Sequence, residues 1–238
     1  MDSTADSPLD IQEVVDHCID FLHDSVPDLR ACALVHRSWV DAAQFHLFRH
    51  ISFSNVVENQ NVRCSRFLDI FGASPRNARI RGFVSRFEVR LRQLTHNNFV
   101  AISPLFPRLR HIHISGTSKP HVPPLDVSAL RQLLSLPTVE RVEIYYWSFA
   151  NASEFLQIWE GCSRSIRHLS LGRIGISSDA NHWITQQHSA THSTRRIKLE
   201  SLDIWEAQPI SSWLADGDCQ FDFSHLKTLR PPNPHGNT

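Results

Sequence analysis

Two imidazoles separated by one residue, His111 and His113, are the residues in this chain whose spacing most suggests chemistry. Alternate side chains share one face of a β-strand, so both rings would stand together as a metal site requires. No acidic or cysteine ligand completes the set at a recognisable spacing, so neither a metal nor another cofactor is expected. The fifteen histidines are otherwise too dispersed to nominate a general base. Cys18, Cys32, Cys64, Cys162 and Cys219 contain no Cys-x-x-Cys pair, which argues for reduced thiols rather than a disulfide framework. The eight glycines form no Gly-x-x-x-x-Gly-Lys or Gly-x-Gly-x-x-Gly phosphate loop and no Gly-x-Ser-x-Gly nucleophile turn. No catalytic residue is nominated, and the expectation is a binding protein rather than an enzyme. Arg86, Arg90 and Arg141 would allow a phosphate-bearing ligand, because guanidinium groups pair well with that anion.

The elements that carry these residues follow from apolar spacing. Val84, Phe87 and Val89 stand as apolar-x-x-apolar-x-apolar, and the pattern returns at Leu109, Ile112 and Ile114; Val139, Val142 and Ile144; Ile166, Leu169 and Leu171; and Leu199, Leu202 and Ile204. Leu226 and Leu229 make a partial copy. The period lies close to that of leucine-rich repeats. Helical spacing fills the intervals at Leu94 to Ile102, Val127 to Leu136, Phe155 to Cys162 and Ile210 to Leu214, with Asp126, Ser128 and Asn151 to Ser153 as candidate caps. A strand-plus-helix unit cannot bury its own apolar face, so neighbours must stack. The expected fold is α/β: a small three-helix module followed by an open, irregular leucine-rich-repeat-like solenoid with a parallel sheet. The asparagine such repeats place after the strand is missing from every copy, and an unrelated α/β fold would also suit the alternation.

Residues between the apolar strand positions point away from the core. They are Arg86, Glu88 and Arg90; His111, His113 and Ser115; Arg141, Glu143 and Tyr145; His168 and Ser170; and Ser201, Asp203 and Trp205. This mixture of arginine, histidine, carboxylate and aromatic groups resembles a contact surface. Arg86, Arg90, His111, His113, Arg141, Glu143, Tyr145, His168, Asp203 and Trp205 are the candidate target-binding residues, with Tyr145 and Trp205 as anchors. The alternative is that Tyr145, Tyr146 and Trp147 pack under neighbouring loops.

Composition bounds the rest. A chain of 238 residues with 41% hydrophobic and 20% charged residues is an ordinary globular protein, either one domain or a small module plus a larger one. Its 24 basic and 24 acidic residues leave no net field to attract nucleic acid or an anionic membrane, so neither partner is expected. The opening Met1 to Ser7 is acidic and lacks the apolar core of a signal peptide, and no apolar run approaches the ~18 residues of a membrane span. A soluble protein of cytoplasm or nucleus is expected. Arg230-Pro-Pro-Asn-Pro should end the sheet, because proline removes backbone donors, leaving 231–238 as a flexible tail; the partial copy at Leu226 and Leu229 is then either the end cap of the array or an open edge.

The N-terminal part has a different character. Ile11, Val14, Val15, Cys18, Ile19 and Leu22 form one helical stripe; Leu29, Cys32, Leu34 and Val35 form a second short helix entered through Ser25-Val-Pro27; Trp39, Ala42, Ala43, Phe45, Leu47 and Phe48 form a third apolar set. Three helices so short cannot bury all of that surface among themselves, and the surplus predicts either a partner or cover from the rest of the chain. The expected boundaries are 8–53 for this module, 54–65 for a polar linker and 66–230 for the repeat region.

The stretch from Pro8 to Phe53 resembles an F-box. Pro8, Asp10 and Ile11 match the opening of that pattern, Asp28 and Leu29 its middle, and Val35, Arg37 and Trp39 its close; Ser7 and His36 depart from it. Leu34-Val-His-Arg-Ser-Trp39 followed by Phe45-His-Leu-Phe-Arg-His-Ile51 is similar to fungal F-box-like proteins. The resemblance implies a substrate-recognition subunit of a Skp-cullin-F-box ubiquitin ligase acting in ubiquitination. A Skp-type adaptor and the cullin ligase would be partners through Pro8, Ile11, Val15, Ile19, Leu29, Val35 and Trp39, with an unidentified target protein on the repeats. The other reading is a repeat scaffold whose box-like segment only caps the solenoid.

Overall fold

The structure, a computed structural model, describes residues 11–53, 60–72, 74, 77–90, 96–116, 127–176, 196–215 and 219–230. Pro8 and the 231–238 tail lie outside the described residues. In chain order the elements are α1 (Gln12–Asp20), α2 (Val26–Val35), α3 (Trp39–Phe48), β1 (His50–Phe53), α4 (Gln60–Phe71), α5 (Ala78–Arg81), β2 (Arg86–Arg90) and α6 (His96–Ile102). A 3-10 turn (Ser103–Leu105) leads to β3 (His111–Ser115), α7 (Val127–Leu134), β4 (Arg141–Tyr145), β5 (Ser148–Phe149), α8 (Ala152–Trp159), β6 (His168–Gly172) and β7 (Gly175–Ile176). The chain continues through β8 (Ile197–Lys198), β9 (Ser201–Trp205), α9 (Gln208–Ala215), β10 (Phe221–Asp222) and β11 (Thr228–Arg230). No described helix is long and apolar enough to cross a membrane.

Seven strands make one sheet in the order β1-β2-β3-β4-β6-β9-β11, which is their order along the chain, and every pairing is parallel. Parallel neighbours need a crossover between them, and the intervals between repeat copies supply it. The apolar pattern sets the register. Phe87, Ile112, Val142, Leu169 and Leu202 stand in one cross-strand row, and Val89, Ile114, Ile144, Leu171 and Ile204 in the next. All ten are buried, and they share a core with Leu130 and Leu133 of α7, Phe155 and Trp159 of α8, and Ile210 and Trp213 of α9. Parallel sheets usually carry helices on both faces; here these three helices pack on the apolar side. Asn151 caps α8 through its Oδ1, which accepts from the Glu154 N–H at 2.9 Å, while Glu154 Oε2 accepts from the Ala150 N–H at 2.9 Å.

The helices α1, α2 and α3 enclose a separate, small core of Val15, Ile19, Leu29, Cys32 and Ala43. Two boundaries differ from those expected. His50–Phe53 leaves the helical module and joins the sheet as its first strand, with Phe53 opposite Val89; only a parallel partner more than thirty residues away reveals that role. Residues 60–65 are not linker but the first turns of α4, with Cys64 wholly buried. Phe67, Leu68 and Cys64 face the sheet core from this helix; the spacing of Phe67, Leu68, Ile70 and Phe71 gives its last turns in the sequence, and the polar residues before them hide where it starts. At the other end β11 has three exposed residues, and Leu229 is 56% exposed where Leu202 beside it is 4%. Among the described residues β11 is the last strand of the sheet.

Candidate functional site

Polar residues between the apolar rows build the opposite face of the sheet, and backbone pairing arranges them in three rows. The first holds His50, Arg86, His111, Arg141, His168 and Ser201. The second holds Ser52, Glu88, His113, Glu143, Ser170 and Asp203. Arg90, Ser115, Tyr145, Gly172 and Trp205 make the third. All ten expected target-binding residues thus stand on one face, joined by His50 and Ser52, which the sequence left in the helical module.

The centre of the face is Glu143. His113 Nδ1 pairs with its Oε2 at 2.8 Å, and His111 Nε2 lies 3.0 Å from Oε1. The His111 contact is close enough for an ion pair but lacks hydrogen-bond alignment, since that Nε2 has no hydrogen-bond partner. Burial pushes the Glu143 carboxyl up, but the two imidazoles outweigh it and hold the group well below the usual carboxylate range. His111 and His113 therefore share a carboxylate supplied by the next strand. Among the described residues no group of three or more His, Cys, Asp or Glu side chains forms a metal-binding cluster.

At the C-terminal rim the aromatic side chains meet. Tyr145 lies 5.4 Å from the His113 ring centroid, and its hydroxyl bonds Ser170 Oγ at 2.7 Å. Gly172 stands between Tyr145 and Trp205 in the third row; a Cβ there would lie 2.6 Å from Tyr145 Cδ1 and 3.0 Å from Trp205 Cε3, so its lack of a side chain admits both rings. Tyr145 and Trp205 are half-buried, whereas Trp147 is buried beside Phe149 on the core side. The residue after each of β4, β6 and β9 takes a left-handed conformation: Tyr146 at φ 55, Arg173 at φ 49 and Glu206 at φ 46. Non-glycine residues pay for this geometry, and three equivalent instances mark a repeated turn. The turn carries Arg173 between the Tyr146 and Trp205 rings, at 5.2 and 4.7 Å, with Glu206 Oε2 2.6 Å from its Nε. The apolar spacing gives no sign of this cluster, because all of its members lie beyond or between core positions.

All five cysteines are free, and burial pushes the Cys64 and Cys162 thiols up to about 12, which keeps them protonated.

The expected adaptor-contacting residues divide. Val15, Ile19 and Leu29 are almost wholly buried and hold the three helices together, so they are core rather than surface. Trp39 packs against the same core. Ile11 and Val35 are exposed, together with Val14, Phe21, Val26, Leu34 and Phe45, which the sequence did not place outside. A helix stripe reports which residues lie on one face but not which of two faces a small module buries. No protein-family model, no curated protein and no solved structure matches the chain.

Proposed function

We propose that this chain is a recognition subunit of a Skp-cullin-F-box ubiquitin ligase, with α1 to α3 as an F-box-like module that docks on a Skp-type adaptor. The sheet and its helices act as an irregular leucine-rich-repeat-like array whose polar face holds a target protein. The chain supplies proximity and no bond-making chemistry: it brings the target to the ubiquitin-loaded enzyme.

The observation that carries the reading is the surface of the helical module. Leu34 is 87% exposed, Phe21 75% and Val35 64%, and Ile11, Val14, Val26 and Phe45 are exposed as well, over a core of five buried residues among those described. That much uncovered apolar surface on so small a unit is what a protein partner covers. The docking set becomes Ile11, Leu34, Val35 and their exposed neighbours, in place of Val15, Ile19 and Leu29.

The second reading, in which the module caps the sheet at its β1 end, draws on a different observation. Phe48 packs on Phe71 at 5.7 Å, Phe45 on Phe83 at 5.8 Å, and Arg79 Nη1 meets Asp41 Oδ2 at 2.6 Å.

Co-expression with a Skp-type adaptor separates the two. The adaptor reading expects a one-to-one complex that L34E/V35E weakens by roughly tenfold or more, as loss of an apolar anchor does, with the circular dichroism of the variant unchanged. No complex from folded wild-type chain leaves the capping scaffold as the function.

A further inference from the structure

The polar face is striped by charge. Its first row sets His50, Arg86, His111, Arg141 and His168 on five adjacent strands, without a carboxylate among them. Two of the three carboxylates in the second row are already engaged: Glu88 lies 3.2 Å from His50, and Glu143 is shared by His111 and His113. Arg141 approaches Glu143 only to 3.8 Å, and Arg86 has no ion pair with a described carboxylate.

The row is also short of acceptors. Among the described residues two buried side-chain nitrogens of this row, Arg86 Nε and His168 Nδ1, have no hydrogen-bond partner, whereas a third, His111 Nε2, lacks hydrogen-bond alignment but already lies 3.0 Å from Glu143 Oε1. Buried polar groups are nearly always satisfied in native proteins, so an unsatisfied guanidinium N–H and an unsatisfied imidazole nitrogen in one row point to a partner that the described residues do not supply. The local field agrees. Burial first, and then the Arg86 guanidinium, hold the His50 imidazole below its usual value; burial and Arg141 do the same to His168.

We infer that this row receives an acidic peptide segment of the bound protein, laid across the strands with its carboxylates against Arg86 and Arg141. The inference rests on the reading that the polar face holds a target, and it names that target's chemistry. Geometry favours a line of carboxylates over a single phosphate. Five strands at about 4.8 Å spacing make a row of roughly 19 Å, the length of about six extended residues. The donors are strung along that line rather than converging on one point, as a single dianion would need. A guanidinium accepts a carboxylate side-on through two N–H donors, so each arginine suits one acidic residue.

The test is fluorescence anisotropy of the full chain with a labelled peptide carrying about six glutamates, a glutamine peptide of equal length and a phosphoserine counterpart. The glutamate peptide is expected to bind at least about tenfold tighter than the glutamine peptide and to weaken as salt is raised. R86A/R141A is expected to lose about tenfold or more of that affinity; R141A alone, at an exposed side chain, gives a smaller loss in the same direction and covers the case in which the double variant misfolds. Equal binding of the glutamine peptide, unchanged affinity in both variants, or a clear preference for phosphoserine each overturns the inference. Adaptor co-purification reads the other surface: peptide failure with adaptor binding intact removes this inference alone, and loss of both removes the ligase reading as well.

Discussion

Glu143 shows how a single side chain can organise a surface. Its carboxylate stands opposite His113 in the strand ladder and one position from His111, and it keeps both rings from facing an empty site. A carboxyl whose folded-state value is depressed adds stability that is present above its unfolded value and is lost as pH falls towards the folded one. Its ordinary value is 4.5 and the folded protein holds it well below that, so the contribution is present above about pH 5 and is lost on acidification. Glu143→Gln is therefore expected to cost about 1 to 2 kcal/mol in that range, with the difference from wild type shrinking below about pH 4. Urea titrations across pH check this. At the same scale, Gly172 could not be singled out by composition; its role exists only because Tyr145 and Trp205 arrive on either side of it.

The elements depend on how each helix meets the sheet. In α8 the apolar residues Phe155, Ile158 and Trp159 face the core, and the Asn151 and Glu154 pair fixes where the helix begins. Asn151→Ala should cost about 1 kcal/mol, because a helix-end N–H loses its acceptor; chemical denaturation reads it directly. Trp159 and Trp213 stack beside Phe221, tying α8, α9 and β10 into one aromatic cluster under β6 and β9. That cluster fixes the crossovers between the last repeats, and the left-handed turns at Tyr146, Arg173 and Glu206 then direct the chain off the sheet at matching heights.

At the scale of the molecule there are two cores of unequal size. The sheet core runs from Phe53 to Phe221, whereas the helical module buries five residues. Opening free energy follows buried apolar contact. Hydrogen exchange followed by mass spectrometry should find the amides of α1 to α3 exchanging well before those of β3, β4 and β6, and on the proposed adaptor reading a Skp-type adaptor should slow the first set alone. Among the described residues β11 is the last strand of the sheet and its Leu229 is exposed.

The sequence by itself determined the strands and their shared register. The positions Leu109, Val139, Ile166 and Leu199 are all buried two residues before a strand begins, because period-two alternation leaves no freedom over which side faces the core. It also determined that one face of the sheet would be polar and which residues would stand on it. Tertiary structure alone decided what depends on distant partners. It recruited His50 and Ser52 to that face through pairing with β2, gave Glu143 to two histidines about thirty residues earlier, and closed Tyr145 and Trp205 over Gly172. It also turned Val15, Ile19 and Leu29 inwards and left Leu34 and Val35 outside. A helix stripe cannot settle that choice, because in so small a module nearly every apolar residue is a candidate for the core and only packing selects which ones enter it.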